Sequence, residues 1–273
     1  MPIVKKYCER EDMKIQISPL VSGSSGNATY IGTDSTGLLV DAGTTGKNLL
    51  ALLSSISVQK PAGILVTHEH NDHISAVGIL SRKLDIPIYA NTETWAAMEK
   101  KIGNIHLRNI REITAEEFYI GDICIRPFET SHDAAHPFGY TFYANGAKLC
   151  TMTDTGRLTK EMLMQAEGSD LILLEANHDI DMLKNGPYPK ALQDRILGTK
   201  GHLSNVQAAS AAVELVKSGV RGILLGHLSR ENNTLELAFK TVKNTLTENG
   251  IIVGRDVGLG MTKRDSFVGP YTL

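Results

Sequence analysis

The run His68-Glu69-His70-Asn71-Asp72-His73, set directly behind the apolar stretch Gly63-Ile64-Leu65-Val66-Thr67, constrains this chain more than any other feature. A short apolar run bounded by turn residues reads as a buried strand. From Asp72 to Leu84 the apolar residues Ile74, Val77, Leu80 and Leu84 share one face at helical spacing. Three histidines and an aspartate are thereby packed on one tight strand-to-helix turn, where their side chains can converge. Neutral imidazoles and carboxylates are the donors that zinc and manganese accept. One histidine alone would read as an ordinary turn residue, but a set this dense points to metal.

The remaining pattern supplies a scaffold for such a turn. Strands are expected at about Lys14–Leu20, Ala28–Gly32, Leu38–Asp41 and Gly63–Thr67, then at Ile123–Phe128, Gly139–Tyr143, Lys148–Thr153, Leu171–Glu175 and Gly222–Leu225. Helices are expected at Thr45–Ser54, Asp72–Leu84, Thr92–Ile102, Thr159–Ala166 and Asn205–Lys217. Helices spread among strands in two similar halves, with no Pro- or Ser-rich linker, predict an α/β fold of two sheets packed face to face with helices outside. Residues 13–273 read as a single domain, and Met1–Asp12 as a charged N-terminal arm.

Composition excludes little. With 28 basic and 30 acidic residues, a net charge of −2 gives no global field that would gather a polyanion, so nucleic-acid binding would need a local basic groove. Cys8, Cys124 and Cys150 form no C-x-x-C pair and read as inert thiols of a reducing compartment. The N-terminus has no apolar signal segment, and no apolar run is long enough to span a bilayer. A cytoplasmic protein with no membrane partner is expected.

Further donors stand where other apolar runs end: His132 in Thr130-Ser131-His132-Asp133, Asp154 in Thr153-Asp154-Thr155-Gly156, and His227 in Leu225-Gly226-His227-Leu228. Strand-end residues on one edge of a sandwich can meet despite long separations in sequence. Asp41, in Leu39-Val40-Asp41-Ala42-Gly43, is placed to orient a ligand ring by accepting its hydrogen bond, or is a plain strand-ending turn residue.

With these motifs in this order the chain resembles the metallo-β-lactamase superfamily over about Leu20 to Asn233. The resemblance implies a four-layer αββα sandwich and two divalent ions, manganese or zinc. It implies His68, His70 and His132 on one ion, Asp72, His73 and His227 on the other, Asp154 between them, and Asp41 behind the ligands. The superfamily hosts several hydrolyses, so finer pattern must sort them. Asp154 stands where many secreted β-lactamases place a cysteine. About seventy residues between Asp154 and His227 are too few for the domain that one nuclease branch inserts there.

A compact bacterial branch, the YycJ/WalJ group of 5′-to-3′ DNA exonucleases, resembles this chain in Ser22-Gly23-Ser24-Ser25-Gly26-Asn27, Ser131-His132-Asp133-Ala134-Ala135-His136-Pro137, Leu174-Glu175-Ala176-Asn177-His178-Asp179, Gly201-His202-Leu203-Ser204-Asn205 and Gly226-His227-Leu228-Ser229. His136 departs from the carboxylate expected there and is not assigned as a ligand. The implied function is a two-metal phosphodiesterase on nucleic acid, DNA rather than RNA, in which the ions activate a bridging water. Asp72, Asp154 and His202 are the expected catalytic residues. His202, just before the helix Asn205–Lys217, either donates a proton or grips a phosphate oxygen, or merely serves a capping turn.

Other polar features divide between function and packing. Lys184, Lys190, Arg195 and Lys200 near Tyr188 line a strand-binding groove or a solvated helix face. Ser22–Asn27 is either a phosphate-facing turn or a plain one. His178 contacts substrate or sits in a buried hydrogen-bonded turn, and His106 is structural or exposed. Two competing functions remain open from sequence: hydrolysis of a small phosphodiester or thioester, and a regulatory binding module that keeps metal only for its fold.

Overall fold

The computed structural model describes residues 15–114 and 116–273, so the charged arm expected over Met1–Asp12, with Cys8, lies outside the described residues. The first sheet holds β1 (Gln16–Gly23), β2 (Gly26–Gly32), β3 (Gly37–Val40), β4 (Gly63–Leu65), β5 (Ile88–Ala90), β6 (Ile110–Glu112) and β14 (Tyr271–Thr272), in the order β14-β1-β2-β3-β4-β5-β6. The second holds β7 (Phe118–Ile120), β8 (Ile123–Glu129), β9 (Phe138–Ala144), β10 (Ala147–Met152), β11 (Leu171–Glu175), β12 (Gly222–Gly226) and β13 (Gly258–Met261), in the order β13-β12-β11-β10-β9-β8-β7. In each sheet an antiparallel trio (β1-β2-β3, β8-β9-β10) leads into a parallel run (β3-β4-β5-β6, β10-β11-β12-β13). The two halves expected from sequence are thus two copies of one strand plan.

Strand periodicity fixes the layers. On β11, Leu171 and Leu173 enter the core between the sheets, while Ile172 and Leu174 face the helices. On β3, Leu38 and Val40 face inward and Leu39 outward in the same way. The outer face of the first sheet is covered by α1 (Gly46–Ser55), α3 (Val77–Leu84) and α4 (Thr92–Ile102), through Leu49, Leu53, Leu80, Met98 and Ile102. The second is covered by α5 (Lys160–Ala166), α8 (Asn205–Lys217) and α9 (Leu235–Glu248). The result is the expected four-layer αββα sandwich.

Several helix starts follow from capping chemistry. Thr45, Asn91, Thr159 and Thr234 each accept a backbone N–H of the first turn. Ser204 and Gln207 form a reciprocal capping box on α8. One expectation is corrected. The helix read as continuous over Asp72–Leu84 is split into α2 (Asn71–Ile74) and α3, because Ala76 N–H donates to the Ala42 carbonyl (2.8 Å) and Ala42 N–H to the His73 carbonyl (2.8 Å). Those bonds dock the histidine turn on the end of β3. Ile74, Val77 and Leu80 remain buried on one face, as the periodicity requires.

Two further helices, α6 (Ile180–Asn185) and α7 (Lys190–Leu197), occupy the basic segment. Of its cations, Lys184, Lys190 and Lys200 are exposed, and Lys190 pairs with Asp194 one turn on (2.8 Å). The lysines fit the solvated-face reading, whereas Arg195, also exposed, pairs with Asp133 and lines a cleft. Among the described residues no helix is long and apolar enough to cross a membrane.

Candidate metal centre

β3, β4, β8, β10, β11 and β12 run in one sense within their sheets, and their C-terminal ends gather the chemistry: Asp41 after β3, His68 after β4, His132 after β8, Asp154 after β10, Glu175 closing β11 and His227 after β12. Asp41, Asp154 and His227 adopt left-handed backbone (φ 62°, 55° and 54°). That conformation is uncommon for a residue with a Cβ and costs about 1–3 kcal/mol at each position. It turns each side chain off the end of its strand toward a common point. Asp41 and Asp154 occupy equivalent places in the two halves.

The donor atoms converge. His68 Nε2 and His132 Nε2 lie 3.1 and 3.2 Å from His70 Nδ1. Donors around a tetrahedral zinc with bonds of about 2.05 Å are about 3.3 Å apart, so this trio has the spacing of a shared ion. Asp154 Oδ1 faces that trio, 3.8 Å from His132 Nε2, while its Oδ2 is 3.3 Å from both His73 Nε2 and His227 Nδ1. Three groups offer atoms within 4.8 Å of one another: His68, His70 and His132; His68, His73 and Asp154; and Asp154, Glu175, His202 and His227. Asp72 falls outside these tight groups but beside them, with Oδ2 3.4 Å from His73 Nε2 and its side chain 27% exposed.

Orientation of the rings decides whether their lone pairs are available. The Gly201 carbonyl can only accept, so His132 Nδ1 carries its proton (3.1 Å) and Nε2 is free to ligate. Thr67 Oγ1 donates its single proton to Asp41 Oδ2 (2.8 Å) and must therefore accept from His68 Nδ1 (2.9 Å), which frees His68 Nε2. Asp41 also accepts from His73 Nδ1 (2.7 Å) and the Thr67 amide (2.8 Å), which fixes the orientation of the His73 ring. Asn27 reaches across from β2 to His73 Nε2 (3.1 Å), and Ser22 Oγ accepts from the His227 amide (2.9 Å). The Ser22–Asn27 turn therefore braces the ligand residues. Gly43 is required by close approach, since a Cβ there would overlap the Asp72 carbonyl.

Two buried atoms test the fit to a metal. Asp154 Oδ2 and His227 Nδ1 are screened from solvent and have no hydrogen-bond partner. Orphaned buried donors and acceptors are rare and costly, and a cation satisfies both at once. Electrostatics agree. Burial, with repulsion from His73, holds His68 well below the usual histidine range, and burial lowers His132, so both are neutral near neutral pH, with a lone pair to offer a cation. Burial opposes a charge on His73, but Asp154, Asp41 and Asp72 override it and push it well above the usual range. Burial likewise opposes ionisation of Asp72, but His73 lowers it to about 2. In the metal-free site a proton on His73 stands in for a cation.

Glu175 was missed by the sequence reading as a site residue. It is fully buried, accepts from His202 Nδ1 (2.7 Å) through Oε1, and from the Thr155 and Leu203 amides (3.0 and 3.2 Å) through Oε2. A carboxylate closing the otherwise apolar run Leu171–Leu174 was its one available signal. His202 stacks on His227 (centroids 5.2 Å, 17°) and lines the cleft with its ring 15% exposed. Burial opposes its charge, but Glu175, with Asp154 and Asp72, raises it to about 9.

The other histidines lie apart. His136 pairs with Glu129 and Glu93 (3.0 and 3.3 Å), and the exposed His106 caps a short turn at Arg108. His178 is buried in a turn whose backbone is hydrogen-bonded, its carbonyl accepting from the Asn205 amide (2.8 Å), while neither ring nitrogen has a partner. Burial lowers it to about 4, so it is neutral. Cys124 and Cys150 are free and buried.

A cleft with about 180 Å³ of room, lined by His70, Asp72, Asp154, His202, His227 and Arg195 among others, opens on the donors. A roomier groove of about 450 Å³ beside β6, lined by Trp95, Ile105 and Leu107, holds none of these donors. A family model described as a beta-lactamase superfamily domain matches residues 36–227, which takes in every converging donor. The chain belongs to the metallo-β-lactamase superfamily. Within it, the chain is 43% identical over 249 residues to "Exodeoxyribonuclease YycJ" of Bacillus anthracis, covering 89% of this chain and 93% of that protein. It is 41% identical over 262 residues to "Exodeoxyribonuclease WalJ" of Streptococcus pneumoniae serotype 2, covering 93% and 97%. The metallo-β-lactamase fold protein YhfI of Bacillus subtilis superposes with a TM-score of 0.70 at 16% identity, covering 93% and 99%. That likeness bears on the fold alone.

Proposed function

We propose that this superfamily member is a two-metal phosphodiesterase acting on nucleic acid, a 5′-to-3′ DNA exonuclease of the cytoplasm, built as one domain from residue 13 onward. The observation that carries the reading is Asp154, whose two oxygens face two separate groups of imidazoles while its Oδ2 lacks any other partner. His68, His70 and His132 would hold one divalent ion, Asp72, His73 and His227 the other, and Asp154 both. Manganese and zinc each accept such a set. When bound, a pair of divalent ions acidifies water and neutralises a phosphate oxygen during in-line displacement. The names of the relatives support DNA as the substrate.

The chain's own residues would then divide the work. Asp41 and Thr67 hold the imidazoles in the ligating tautomer. Glu175 fixes His202 through Nδ1 and favours its protonated form, leaving the Nε2 edge of a cleft-lining ring to give a proton to the departing 3′ oxygen. About 180 Å³ of room suits a terminal nucleotide better than a duplex, which supports attack at a strand end. The same small cleft favours, as the second reading, a small phosphodiester or thioester.

The test is digestion of end-labelled single- and double-stranded DNA and RNA by metal-stripped protein, with manganese or zinc restored, beside His68→Ala. Stepwise release from the 5′ end of DNA that returns with metal and is lost in the variant is the expected result. Inactivity on all four nucleic acids, with turnover of a small ester, would overturn it in favour of the second reading.

A further inference from the structure

We propose that Arg195 is a phosphate-binding residue of this site, gripping a phosphate of the strand beside the metal-ligand groups, and that Asp133 is the tether that aims it. The inference rests on the phosphodiesterase reading above. Arg195 is the one lysine or arginine among the described residues lining the cleft, where it sits with Asp72, Asp154 and His202. Its guanidinium forms a two-pronged pair with Asp133, Nη2 to Oδ1 at 2.9 Å and Nε to Oδ2, and the same Asp133 Oδ1 is 3.5 Å from the ligating edge of His132. A cation is thus held one carboxylate away from the ligand group.

Mere structure accounts poorly for a cation placed there. Two divalent ions bound alongside would repel a guanidinium, and a half-exposed ion pair contributes only about 0–1 kcal/mol to folding. An incoming phosphate removes the repulsion. The fork also has capacity: Asp133 engages two of the five guanidinium N–H bonds, and three remain to meet phosphate oxygens in the planar geometry that arginine suits and lysine does not.

The arginine is also aimed. The turn that ends α7 is locked against the site, with Ser131 Oγ donating to the Thr199 carbonyl (2.8 Å), His132 Nδ1 to the Gly201 carbonyl (3.1 Å) and the Gly156 amide to the Ser131 carbonyl (2.9 Å). A Cβ at Gly201 would overlap the carbonyls of Arg195 and Ile196. Arg195 therefore sits one turn before a segment braced against the His132 and Asp154 turns, which is the pre-organisation a positioning contact needs.

The experiment compares wild-type, Arg195→Ala, Arg195→Lys, Asp133→Ala and Asp133→Glu proteins, each manganese-loaded and checked for an unchanged melting profile. Calorimetric binding of dAMP and of deoxyadenosine is measured, together with KM and kcat on a labelled oligonucleotide. Arg195→Ala is expected to weaken dAMP about 10–100-fold, the equivalent of one charge-assisted contact, to leave deoxyadenosine unmoved and to raise KM more than it lowers kcat. Arg195→Lys should recover only part of the loss. Asp133→Ala should weaken dAMP less than Arg195→Ala, with Asp133→Glu recovering part of it.

A dAMP affinity and KM within twofold of wild type in Arg195→Ala would overturn the proposal, as would wild-type protein that binds no dAMP. If wild type binds dAMP through Arg195 yet digests no nucleic acid, the phosphate site stands and the nuclease reading falls.

Discussion

Replacing Glu175 with glutamine keeps the side chain's size and removes one buried charge. In the metal-free protein His202 is raised from the ordinary 6.5 to about 9, against the opposition of burial, by Glu175 together with Asp154 and Asp72. A rise of that size is on the order of 3 kcal/mol of preference for the charged ring. Because the folded value lies above the unfolded one, the stabilisation is fully present below about pH 6.5 and is lost as pH climbs through about 9. In Glu175→Gln the amide nitrogen meets Nδ1 and the carboxylate that contributes most to the rise is gone, so the upward shift of His202 shrinks.

Urea unfolding of both metal-free proteins at several pH values between about 6 and 10 measures the difference in stability, which removes groups titrating equally in each. The difference should shrink from the acid to the alkaline end by the share of that rise that Glu175 supplies, with an upper bound of about 3 kcal/mol. Histidine ¹⁵N resonances should show His202 titrating near 9 in the wild type only. With metal restored, loss of the proton donor should lower kcat by about 10²–10³. A stability difference that does not change with pH, or a His202 that titrates alike in both proteins, would refute the reasoning.

Asp41→Asn removes the oxygen that accepts from His73 Nδ1 and should weaken divalent-ion binding by about 10–100-fold, measured by chelator competition. Gly43→Ala drives a methyl into the Asp72 backbone and should lower stability by about 1–3 kcal/mol in denaturant unfolding, with loss of metal. Adding metal to the stripped protein near neutral pH should release protons, the one held on His73 among them, as read from calorimetry in buffers of different ionisation enthalpy.

The legible parts of this molecule are those written locally. The apolar run before His68, the helical face of Ile74, Val77 and Leu80, and the helix starts at Thr92 and Asn205 each depend on neighbours within a few residues. The break between α2 and α3 was invisible because it is set by Ala42, more than thirty residues away. Glu175 and the Asp133–Arg195 pair escaped for the same reason, since their partners arrive from other strand ends or from α7. His178 reads identically to a functional histidine in sequence, and what sets it apart is its place outside the converging donor groups and the cleft lining. The converging donors stand where apolar strands end or on the turn after one, so the local signal and the long-range geometry coincide.

The count of tightly bound ions per chain tests the central claim most directly. Elemental analysis after equilibrium with manganese or zinc should give two ions for the wild type, about one each for His132→Ala and His227→Ala, and parallel loss of turnover. A wild type that holds a single ion, or variants that keep the full complement, would contradict a centre shared through Asp154.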